Sequence, residues 1–61
     1  MTIATLQNRI AEKEREITAM KTRRDFVMNQ GIKDKFTMDI MHQESELILL
    51  RAQLESTAIL N

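Results

Sequence analysis

The chain has no proline, and its single glycine, Gly31, stands at the middle of its 61 residues. Proline and glycine interrupt helices more strongly than any other residues, so the sequence offers one natural break with a long uninterrupted stretch on either side. Both halves are rich in good helix formers. The expected fold is all-α: a two-helix antiparallel hairpin with helices over about 3–30 and 34–59, forming a single domain across residues 1–61. Each helix would be roughly 40 Å long at 1.5 Å per residue. Gly31 is expected to end the first helix in a left-handed conformation, with Val27 and Ile32 meeting as in a Schellman motif. Asp34 would then cap the second helix, as Thr2 would the first, each side chain accepting from a free backbone amide. One continuous coiled coil is the rival fold, and a central glycine weighs against it.

The spacing of apolar residues supports two helices of different character. In the first, Ile3, Leu6, Ile10, Ile17, Met20 and Val27 recur at intervals of three, four and seven and share one stripe, with Lys13 and Arg24 falling inside it. Long basic stems can lie along apolar surface there and carry their charge to the edge. The second helix has two stripes. Phe36, Ile40, Leu47, Leu50, Leu54 and Ala58 form one, and Met41, Ile48, Ala52 and Ile59 form another about a quarter-turn away. Thr37, Glu44, Arg51 and Glu55 make a narrow polar strip between them. One stripe can pack on the first helix, which leaves the other in need of a partner.

Size makes the same point. A chain this short buries too little surface to be comfortable alone, and the usual staples are missing: there is no cysteine for a disulfide and only one histidine for a metal. Self-association is what remains, and two hairpins related by a two-fold axis would make a four-helix bundle. Residues 1–31 carry six basic and four acidic groups and residues 32–61 three and five, so the halves attract while the whole is neutral. Neutrality excludes a global field that would gather nucleic acid or anionic membrane. The longest apolar run, Leu47-Ile48-Leu49-Leu50, is far too short for a membrane span, and the N-terminal residues do not read as a signal peptide. A cytoplasmic homodimer is therefore expected, without membrane, metal or other cofactor.

Three clusters invite a functional reading. Asp39, His42 and Glu46 share a helix face at metal-ligand spacing, but that face points away from the main stripe and reads as ordinary solvated surface. Lys21, Arg23, Arg24, Lys33 and Lys35 gather at the turn, with Phe26 off the first helix's stripe, and could contact a partner or phosphates. Asp25, Asp34 and Asp39 lie among these cations and weaken that field. Met20, Met28, Met38 and Met41 also collect towards the turn, where methionine serves as core filler or as adaptable contact surface. No nucleophile, base or phosphate-binding loop stands at a telling spacing, so no enzyme is expected.

In length and layout the chain resembles the plasmid Rop proteins, hairpins that dimerise into four-helix bundles and bind RNA hairpins. The segment His42-Gln43-Glu44-Ser45-Glu46-Leu47 resembles the Ser-Gln-Glu-Leu-Asp segment of Spo0E-like aspartyl-phosphate phosphatases, matching it outright at Gln43 and Glu44 and departing at His42, Ser45 and Glu46. That resemblance implies a regulator of a response regulator. The leading expectation is a small non-enzymatic interaction or regulatory module of the kind that phages and mobile elements carry as accessory proteins. Its self-association would rest on Ile40, Met41, Leu47, Ile48, Leu50, Leu54 and Ile59. A protein partner would meet the rest, with an RNA- or DNA-binding regulator acting through the basic tip as the alternative.

Overall fold

The computed structural model describes residues 2–60 and consists of two helices, α1 (Ile3–Phe26) and α2 (Gln30–Leu60), packed side by side as an antiparallel hairpin with no strand among the described residues. Its Cα trace measures 48 × 15 × 12 Å.

Both helices start from a capping side chain. Thr2 is extended, and its Oγ1 accepts from the Thr5 amide at 3.1 Å. Asn29 does the same for α2: its Oδ1 accepts from the Ile32 amide at 3.2 Å and its carbonyl from the Lys33 amide at 3.0 Å. The start of α2 therefore lies about four residues earlier than the sequence suggests, and α1 ends correspondingly early at Phe26. Gly31 is not the helix terminator. It sits in the first turn of α2, and no residue of the described chain, glycine included, has a positive φ. The Schellman pairing fails with it, because Val27 is itself the extended residue that closes α1, its amide donating to the Arg24 carbonyl at 3.3 Å. Asp34 is not a cap either; its Oδ1 accepts from the Gln30 side chain at 3.0 Å. The physical reason is competition between two helix-breaking residues two positions apart. Asparagine ranks with the best N-caps, and a helix tolerates glycine in a first turn already pinned by such a cap.

The seam between the helices is a heptad pattern on each side. Leu6, Ile10 and Ile17 of α1 are buried, as are Ile40 and Leu47 of α2, and Met20, Leu50 and Leu54 pack partly buried against the central cluster. Burying a side chain of this size contributes about 1.5–3 kcal/mol, so the core is real but thin. Lys13 interrupts it at the middle. Its stem fills the position between Ile10 and Ile17, and its ammonium donates across the seam to Gln43 Oε1 and Glu46 Oε2, both at 2.6 Å. Arg24, the other basic residue in the stripe, reaches Thr37 Oγ1 at 3.4 Å near the turn.

Candidate functional site

The expected self-association residues divide into two sets. Ile40 and Leu47 are buried against α1, and Leu50 and Leu54 pack on the same cluster, so these four make the hairpin's own core. Met41, Ile48 and Ile59 point away from α1. With Met38 and Leu49 they keep 64–76% of their surface exposed. Laid on a helical wheel, this sector of α2 reads Met38, Met41, Ser45, Ile48, Leu49, Ala52, Ser56 and Ile59. All eight are exposed, and none is charged. The strip runs from Met38 to Ile59, roughly 32 Å at 1.5 Å per residue, and Asp34 bounds it on the turn side. Sequence reading found its centre and missed Met38 and Leu49 at its far edge. The missing signal was the absence of charge across the whole sector, which is wider than any single apolar row.

Ion pairs border the strip where it meets the seam. Glu44 Oε1 lies 3.4 Å from Lys21 Nζ, and Arg51 Nη2 donates to Glu14 Oε1 at 2.9 Å. Both pairs join α1 to α2 on the same side of the hairpin, consistent with the opposite net charges of its halves. Ser45, inside the strip, donates its hydroxyl to the Met41 carbonyl at 3.0 Å. Its polar group is thereby satisfied within its own helix, and the residue presents a small, flat surface.

On the other side of the seam, Glu46 is held from two directions. Oε2 faces Lys13, and Oε1 lies 3.0 Å from His42 Nε2 one helical turn away. The hydrogen bond and charge of Lys13 draw the Glu46 carboxyl below its ordinary pKa against an opposing desolvation, with the charge and hydrogen bond of His42 each pulling more weakly the same way as Lys13. Asp39 does not join this pair. Among the described residues no three His, Asp or Glu side chains stand close enough to hold a metal ion. Gln43 and Glu44, the two residues matching the phosphatase segment, are engaged by Lys13 and Lys21 respectively.

The turn is the second candidate surface. Phe26 is 82% and Met28 96% exposed, both at the end of the molecule. Arg23 and Arg24 in the last turn of α1 face the partial negative charge of that helix end, with Lys33 and Lys35 opposite in α2. Among the described residues none of these four cations is paired with a carboxylate, whereas Lys21 is tied back to Glu44. The structure thus gathers five of the six expected tip residues around an open end and draws Lys21 into the seam. Met28 has no counterpart in the pattern that identified Phe26, since a loop has no periodicity to depart from. Among the described residues no helix is long and apolar enough to cross a membrane. Compared with known proteins, the sequence fits no family model and matches no curated protein and no solved structure.

Proposed function

We propose that this chain is a self-associating, non-enzymatic interaction module: a hairpin that dimerises through the outer face of α2 and offers its turn to a further protein. The observation that carries the reading is the uncharged strip from Met38 to Ile59, exposed along its whole length. Contiguous apolar surface of this kind marks association sites on soluble proteins. Area supports it too. The lone hairpin exposes 4797 Å², against about 4,100 Å² for a compact protein of its mass. The excess approaches the roughly 800 Å² that each partner of a standard interface buries. Sedimentation equilibrium at micromolar concentration tests the reading: a species of twice the 7.1 kDa chain mass is expected, and a folded monomer across the range overturns it.

The unpaired cations around Phe26 support a second reading, an RNA- or DNA-binding regulator. It requires retention on nucleic acid that falls steeply with salt, about one unit of log-log slope for each phosphate neutralised. A Spo0E-like role requires loss of phosphate from a phosphorylated response regulator in the chain's presence, abolished by substitution of Gln43 or Glu44.

A further inference from the structure

The strip on α2 and its polar edge follow a heptad with a size pattern. Met38, Ser45, Ala52 and Ile59 fall at one position of the repeat, Met41, Ile48 and the bordering Glu55 at the other. In the central turns one row is therefore small and the other large. A second copy running parallel would set like on like: Ser45 on the partner's Ser45 and Ala52 on the partner's Ala52, leaving gaps, with Glu55 against the partner's Glu55 in mutual repulsion. A copy running antiparallel sets each row against the other. Close packing demands that large residues meet small ones across an interface, and in the central turns only the antiparallel arrangement meets that demand.

Resting on the dimer reading above, we propose that the occupant of this face is a second copy of the chain laid antiparallel on α2. Its two-fold axis passes between Glu46 and Leu47. In this register Met41 packs on the partner's Ala52 and Ile48 on the partner's Ser45, while towards the ends Met38 lies against the partner's Glu55 and Ile59 against the partner's Asp34, at the rim. The Ser45 hydroxyl, already donated to the Met41 carbonyl at 3.0 Å, enters the interface with no unmet need. The same register brings Glu44 of each chain beside the partner's Arg51. Each of these residues already holds a partner in its own hairpin, Lys21 at 3.4 Å and Glu14 at 2.9 Å. Association therefore links them into two symmetric four-residue charge networks, running Lys21, Glu44, the partner's Arg51 and the partner's Glu14. Shifting the register by one heptad would put Arg51 on the partner's Arg51 instead. The antiparallel arrangement also separates the turns. Residues 21–35 carry five basic and two acidic side chains, and a parallel dimer would bring two such clusters together, whereas here they lie beyond a Debye length of one another.

Two measurements test this on the full chain, whose lack of cysteine leaves labelling sites unambiguous. Spin labels on Met28→Cys should sit about 55 Å apart in the dimer, from the rise per residue; a parallel dimer would hold them within about 20 Å, two helix spacings. Ala52→Leu, on a residue exposed in the hairpin, should raise the dimer dissociation constant roughly tenfold by overfilling the row against Met41. The exchange Met41→Ala with Ala52→Met should restore it to within about threefold, since each row again pairs one large residue with one small. Short label distances, or tighter association of Ala52→Leu, overturn the antiparallel arrangement while leaving the dimer intact. A chain that sediments as a monomer overturns the dimer reading, and this inference with it.

Discussion

Behind their shared seam, α1 turns Arg9, Glu12, Arg15, Glu16 and Arg23 to solvent, whereas α2 turns Met38, Met41, Ile48, Leu49 and Ile59. Both helices carry an apolar stripe towards each other, that of α1 interrupted by Lys13, so the stripes alone say only that a hairpin forms. The outer faces differ. Covering the charged outer face of α1 would mean desolvating ions for no gain, whereas the uncharged strip on α2 carries no such cost. In a small helical protein the position of the missing charge is thus more informative about partners than the position of the apolar residues, many of which are consumed by the fold itself.

The largest expected effect comes from the seam, where the two helices are equivalent. Leu47→Ala removes a buried side chain from the central cluster and should cost about 2–5 kcal/mol per chain by chemical denaturation. Leu54→Ala should cost less, because Leu54 is only half-buried. Gln53→Ala, exposed on α2, should change little, and comparable losses at all three would mean the faces are wrongly placed. Ile48→Lys attacks the difference between the helices directly. Introducing a charge into the uncharged strip should weaken dimerisation at least tenfold, about 1.4 kcal/mol, while the hairpin's helicity survives. Ala19→Lys, at the matching outward position on α1, should leave the sedimentation profile unchanged. Equal sensitivity of the two faces would erase the comparison.

The helix starts are the next contrast. Asn29→Ala removes the α2 cap and should destabilise the protein by about 1 kcal/mol per chain in thermal or urea unfolding. Thr2→Ala should cost less, because threonine is the weaker N-cap of the two. The seam's own polar clasp gives a smaller effect, visible in pH. Glu46 has a lowered pKa beside Lys13, so its contribution is present above the ordinary glutamate value and is lost as pH falls through its folded-state value. Lys13→Met should shrink the loss of stability between about pH 7 and pH 3, measured as the shift in urea midpoint, with the hairpin still folded at both ends.

Much of this molecule was legible in its sequence, and the unread parts share one cause. The stripes, the Thr2 cap and the opposite charges of the two halves follow from periodicity and composition, which average over many residues and so survive local error. The turn does not average. Its place depends on whether Asn29 or Gly31 interrupts the backbone, a choice settled by one side-chain hydrogen bond. The same holds for Lys13, whose position in the stripe was legible but whose partners Gln43 and Glu46 depend on the pairing of residues more than thirty positions apart. The uncharged strip was half-read because attention to apolar rows passed over Met38 and Leu49, whose neighbours at helical spacing are the small or polar Ser45, Ala52 and Ser56.

Gly31→Ala tests the turn with the smallest effect and the clearest sign. Had Gly31 held a left-handed conformation, alanine would be destabilising there by roughly 1 kcal/mol whatever its neighbours. In the first turn of α2, with no positive φ, two opposing effects replace that penalty. Alanine stiffens the unfolded chain and favours the helix, by up to about 1 kcal/mol in a helix interior. Its Cβ would also come 3.2 Å from Asn29 Oδ1, the atom that caps the Ile32 amide at 3.2 Å. The cap must yield by a few tenths of an ångström, so in the wild-type background the two effects nearly offset and the melting temperature should move little. Once Asn29→Ala has removed the crowding oxygen, only the helix-favouring effect remains, and adding Gly31→Ala should then stabilise by about 0.5–1 kcal/mol. The double-mutant cycle should therefore close with a coupling of a few tenths of a kcal/mol or more. Destabilisation by alanine in both backgrounds would return the helix terminator to Gly31 and move the start of α2 back past it.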